Sequence, residues 1–151
     1  MKLLICIDGS PHSQKVIEEA KKIASGCSLD QVTLLSIVEP LRASALMAAS
    51  EAYPISRDEL DKLTHYEENT AAKCDSFLSE TATIFQNLGI SAEVVVKKGH
   101  PADTIVKTAA EGGYDLIIMG SRGLSGLKKL LLGSVSNAVL QESPVSVMVV
   151  K

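Results

Sequence analysis

No stretch of this chain stays apolar long enough to cross a bilayer, since every run falls far short of the roughly 20 residues a spanning helix needs. The opening Met1-Lys-Leu-Leu-Ile-Cys-Ile7 is cut by Asp8 before it reaches the about 7–15 apolar residues of a secretory leader core. Basic charge is not in excess either. With 15 Lys and Arg against 18 Asp and Glu, the formal net charge is −3, which gives no general attraction to nucleic acid or anionic lipid. Cysteine is scarce: Cys6, Cys27 and Cys74 are far apart and form no Cys-x-x-Cys pair. That argues against a disulfide framework or a thiolate zinc site and suits buried free thiols in a reducing compartment. The expectation is a cytoplasmic protein with no nucleic-acid and no membrane partner.

The common phosphate and nucleophile signatures are missing as well. There is no Gly-x4-Gly-Lys-Ser/Thr loop, no Gly-x-Gly-x2-Gly after the first apolar run, and no Gly-x-Ser-x-Gly elbow. No run of His, Cys and carboxylates suggests a tightly held transition metal. Linkers, repeats and low-complexity segments are absent, so 151 residues that are 46% apolar fit one domain with one core.

What is present is an alternation of short apolar runs with helical periods. Residues 3–7 read as a strand buried on both faces, bounded by Asp8-Gly9-Ser10-Pro11. Ser10 and Pro11 offer a helix cap and a first-turn proline, and Val16, Ile17, Ala20, Ile23, Ala24 and Cys27 repeat at 3.6-residue spacing up to Gly26. Residues 32–38 read as a second strand. Residues 39–58 show no firm period apart from an alanine-rich piece at 43–49, and a connection that long suggests a functional lid. A long helix is expected over 59–88, with Phe77, Leu78, Thr81, Ile84, Phe85 and Leu88 on one face and Gly89 as its stop. A strand over 92–96 and a helix ending at Gly112-Gly113 follow. Next come a strand over 115–119, a helix over 134–142 and a last strand from Val145 to Val150. This βαβαβαβαβ order predicts a parallel sheet with helices on both faces.

Ligands of such sheets bind outside the carboxyl ends of the strands. Two turns would meet there: Asp8-Gly9-Ser10, and the loop Gly120-x2-Gly123-x9-Gly133-Ser134. Glycines allow backbone N–H groups to approach a phosphate closely. Ser134 stands where it could cap the next helix, whose N-terminus favours an anion. Arg122, Lys128 and Lys129 could add charge or face water.

On these residues the chain resembles the ATP-binding branch of the universal stress protein family, whose loop has the same Gly-x2-Gly-x9-Gly-Ser/Thr spacing. Ile5-Cys6-Ile7-Asp8-Gly9-Ser10 is similar to the family's first strand and turn. Gly99-His100-Pro101 is similar to its third-helix start, and residues 115–123 to its fourth strand and loop. The resemblance spans the whole chain. It implies an open five-stranded sheet in the order 3-2-1-4-5. It also implies ATP, ADP or AMP as ligand, with Mg²⁺ or Mn²⁺ on the phosphates. Asp8 would hold the ribose or help place a metal, and Cys6, Val38 and Met119 would line the nucleoside pocket. Gly120, Gly123, Gly133 and Ser134 would surround the phosphates, with Val135 and Ser136 adding backbone and hydroxyl contacts. The last strand would pair two copies into a homodimer. No evident base or cationic finger beyond Arg122 accompanies the loop, so any turnover is at most that of a slow ATPase.

Simpler readings stand beside these. Asp8 could only close its turn, Ser10 could only cap a helix, and His100 reads as structural. The loop could be a plain connector in a dimeric interaction module that binds no nucleotide.

Overall fold

The computed structural model describes residues 1–40, 56–123 and 132–151. The possible helix at 43–49, residues 41–55 of the lid expected across 39–58, and Lys128 and Lys129 lie outside the described residues. Among the described residues five strands, β1 Lys2–Cys6, β2 Gln31–Val38, β3 Ala92–Lys98, β4 Leu116–Gly120 and β5 Ser146–Val150, alternate with four helices. The helices are α1 Ser13–Gly26, α2 Arg57–Gln86, α3 Pro101–Gly112 and α4 Ser134–Glu142. All strand pairs are parallel, in the order β3-β2-β1-β4-β5, as the resemblance implied.

The central strands are continuous apolar runs because both faces are covered. Leu3, Leu4 and Ile5 of β1 have no exposed surface. Leu3 and Ile5 point into a core shared with α1 and α2 through Val16, Ile17, Ala20, Leu78 and Phe85. Leu4 points the other way, towards Ala102, Ile105 and Ala109 of α3 and Val139 of α4. Each large apolar side chain so buried contributes about 1.5–3 kcal/mol relative to exposure. The expected face of α2 is present in part: Leu78, Thr81 and Phe85 are buried, while Leu88 lies beyond the helix and is exposed.

Several helix ends differ from the sequence expectation. Helix α1 starts at Ser13 with His12 at the cap position. Ser10 caps nothing with its side chain; its carbonyl accepts from Ser13 N at 2.9 Å, and its hydroxyl is buried with no partner among the described residues. Helix α2 starts earlier than expected, on a reciprocal capping box between Ser56 and Glu59. Helix α4 takes Gly133 as its cap, so Ser134 is the first helical residue rather than the cap. Helix α3 follows the sequence closely, with Pro101 in its first turn and Gly113 closing it at φ 62°, a left-handed position suited to glycine. The three thiols are free, but Cys27 is exposed at the end of α1, against the expectation of burial.

The amino-terminal edge of the sheet is tied by polar contacts. Tyr114 Oη donates to Thr33 Oγ1 at 2.8 Å in a buried position. Lys2 N donates to Asp115 Oδ2 at 2.7 Å, and Gln31 Nε2 to Glu93 Oε2 at 2.9 Å. The carboxyl-terminal edge is built differently: there a cavity opens.

Candidate functional site

Strand order reverses between β1 and β4. The chain leaves β1 for α1 on one face and leaves β4 for α4 on the other. A crevice at such a switch point follows from connectivity alone. A cavity of about 540 Å³ occupies it, within the roughly 300–1,000 Å³ typical of small-molecule sites. All ten residues singled out in the sequence line this one cavity. Cys6 and Asp8 come from the end of β1, Val38 from the end of β2, and Met119 and Gly120 from the end of β4. Gly123, Gly133, Ser134, Val135 and Ser136 come from the loop and the first turn of α4.

Asp8 sits in a defined turn. Its Oδ1 accepts from Ser10 N at 3.0 Å and from Ser13 Oγ at 3.0 Å, and Asp8 N donates back to Ser13 Oγ at 3.3 Å. Gly9, at φ 73°, supplies the left-handed residue that this turn needs. The second carboxylate oxygen turns towards Gly123: a β-carbon on that glycine would lie 2.8 Å from Asp8 Oδ2. The two turns expected to meet therefore touch, and the missing side chain at 123 makes room for the acid.

The glycine loop is stitched at its neck. Ser121 N donates to Val150 O at 2.7 Å, and Gly133 N to Ser121 O at 2.7 Å. Ser136 Oγ lies 3.1 Å from Ser121 O and 3.0 Å from Gly133 O. The hydroxyl proton of Ser136 is thus committed to the loop's own carbonyls. Helix geometry leaves the N–H groups of Ser134, Val135 and Ser136 without intrahelical acceptors. They carry the positive end of the α4 dipole. Arg122 is exposed at the rim of the same cavity. Donors therefore gather at the α4 end.

The floor is apolar. Met119 and Val38 are buried, and burial pushes the Cys6 thiol up to about 12, so Cys6 packs as a small apolar group and not as a nucleophile. Among the described residues no group of three or more His, Cys, Asp or Glu is placed to hold a metal ion. The donor set therefore fits an anion with an apolar body.

Other residues of the cavity escaped the sequence reading. Ser13 binds Asp8 as described. Tyr66, Glu67, Thr70 and Cys74 reach the cavity from α2, and Pro101 and Ile105 from α3. Glu67 also pairs with Lys98 at 3.4 Å. The 67-70-74 spacing follows a helical face continuous with Phe77, Leu78 and Thr81, and that polar extension of an apolar stripe was the available signal.

A parallel sheet of this order, with a glycine loop at its switch point, defines a single-domain α/β protein. The chain belongs to the universal stress protein family, whose model matches residues 1–151. It is 34% identical over 152 residues to the universal stress protein YxiE of Bacillus subtilis, covering 99% of this chain and 98% of that one. Its fold matches the universal stress protein UspA from Lactobacillus plantarum with a TM-score of 0.82 at 21% identity, covering 100% of this chain and 97% of the other. A universal stress protein from Arabidopsis thaliana, solved with AMP bound, shares the fold at a TM-score of 0.65 and 16% identity, covering 100% of this chain and 91% of that one. As a member of this family, the chain is a stress-response protein. Among the described residues no helix is long and apolar enough to cross a membrane.

Proposed function

We propose that this protein binds an adenine nucleotide in the switch-point cavity and acts as a nucleotide-holding stress regulator of the ATP-binding branch. One observation carries the proposal: Asp8, the three loop glycines and the first turn of α4 line the same cavity of about 540 Å³. In this reading the phosphates lie against the free N–H groups of Ser134, Val135 and Ser136, near Arg122. The ribose meets Asp8 Oδ2, and the nucleoside rests on Cys6, Val38 and Met119. ATP is the preferred ligand, with ADP or AMP as alternatives and Mg²⁺ or Mn²⁺ carried on the phosphates. Turnover is that of a slow ATPase at most. The AMP-bound relative supports the ligand class.

A second reading, a dimeric interaction module with an empty cavity, has one observation in its favour. A β-carbon on Gly120 would lie 3.1 Å from Arg122 O, and one on Gly133 would lie 3.3 Å from Ser121 O. A side chain at either position would crowd the loop's own backbone, whatever binds. The test separates the two. The freshly purified protein is denatured and any released nucleotide is identified by chromatography and mass. Stoichiometric ATP or ADP, absent from Asp8→Ala and Gly133→Val preparations, supports the nucleotide reading. An empty protein that also fails to take up ATP with MgCl₂ supports the interaction module.

A further inference from the structure

Asp8 has two carboxylate oxygens in different situations. Oδ1 is saturated locally: Ser10 N and Ser13 Oγ each reach it at 3.0 Å. Oδ2 accepts no hydrogen bond from any described residue and faces the position of the absent side chain at Gly123. A free aspartate on a loop would rotate about two side-chain torsions and share its charge between both oxygens. Here the rotation is blocked by Ser13, the first residue of α1, which is buried. Its hydroxyl spans the turn, donating to Oδ1 and accepting from Asp8 N at 3.3 Å. Ser13 itself lines the cavity, but both the donor and an acceptor of its hydroxyl are already engaged with Asp8.

We infer that Ser13 is a positioning residue: it clamps the Asp8 carboxylate so that Oδ2 alone is presented to a hydroxyl donor of the ligand. This inference rests on the nucleotide reading above and sharpens it. A single preset oxygen suits one ribose hydroxyl. Bidentate grip of a cation is excluded while Oδ1 keeps its two donors. Fixing an acceptor before binding removes the ordering cost of one side chain from the association step. Its loss is expected to weaken binding by about threefold to tenfold.

The test compares calorimetric titrations of ATP and of 2′,3′-dideoxy-ATP, each with MgCl₂, into wild type, Ser13→Ala, Ser13→Cys, Asp8→Ala and the Ser13→Ala/Asp8→Ala double variant. The cysteine variant keeps the volume with a poor donor and serves if the alanine variant does not fold. The expected result is that Ser13→Ala or Ser13→Cys weakens ATP by about threefold to tenfold and leaves dideoxy-ATP unchanged. In the Asp8→Ala background, Ser13→Ala adds nothing. Equal weakening of both nucleotides, or a further loss in the Asp8→Ala background, overturns the positioning role in favour of a merely structural one. Wild-type affinity in the Ser13 variants alongside weak binding by Asp8→Ala overturns it too, while leaving the nucleotide reading intact. A wild type that binds neither nucleotide overturns that reading, and this role with it.

Discussion

Replacing Gly123 by alanine isolates the contact between the two turns of the site. Gly123 is not among the residues with positive φ, so alanine meets no backbone penalty. The whole effect comes from the new β-carbon, placed 2.8 Å from Asp8 Oδ2. An ordinary carbon–oxygen approach is about 3.3 Å or more, so the carboxylate must retreat by about 0.5 Å. That motion pulls Oδ1 off donors at 3.0 Å and turns Oδ2 away from the ligand. A hydrogen bond to a charged group contributes about 1.5–3 kcal/mol, so ATP should bind about 10- to 150-fold more weakly. The fold should survive, since the displaced group is a partly exposed side chain and not backbone. Titration calorimetry with ATP and MgCl₂, paired with thermal unfolding, reads both quantities. The same substitution in an Asp8→Ala background should cost nothing further, because the clash is gone. An equal loss in that background would refute the reasoning and assign Gly123 to the phosphates instead.

Tyr114→Phe removes the donor to Thr33 Oγ1 at 2.8 Å. It should cost about 1 kcal/mol, lowering the thermal midpoint by about 2–4 °C for a chain of this size, with ATP affinity unchanged. Glu59 is held below its ordinary value of 4.5 by hydrogen bonds from the Ser56 backbone N–H and hydroxyl. Its stabilisation is therefore complete above the ordinary value and fades as pH falls through the lowered one. Glu59→Gln should flatten that acid limb in urea unfolding measured against pH. For the homodimer that the family resemblance implies through β5, Ser121 N donates to Val150 O, so strand alternation turns the backbone groups of Val147 outward from the edge. Val147→Pro should then yield folded monomers in sedimentation, and an unchanged dimer would count against pairing there.

Strand positions and helix faces were legible because apolar run length and 3.6-residue spacing are local properties. Leu3 to Ile5, or Val16, Ile17 and Ala20, are buried as their spacing predicts. The cavity lining was legible where it is carried by glycine spacing and by strand ends, which topology gathers at one edge. What escaped depends on tertiary contact. Ser13 reads as an ordinary helix residue until the Asp8 turn folds back on it. Tyr66, Glu67 and Thr70 join the cavity only because α2 packs over β2 and β3. The misplaced caps at Ser10 and Ser134 share one cause. Both serines have the right chemistry for an N-cap, yet in each case the chain turns into the helix at a neighbouring residue.

The parallel sheet also separates the molecule's handles from its mouth. The turn from α1 to β2, with exposed Cys27, Ser28 and Asp30, lies at the tied amino-terminal edge. The cavity opens past Val38, at the far end of the eight residues of β2, about 25 Å away at strand rise. Of the three thiols, Cys27 alone is exposed, while Cys6 and Cys74 are half-buried in the cavity lining. A fluorophore or surface tether attached at Cys27 should therefore leave ligand traffic free, making this turn the natural place to immobilise the protein.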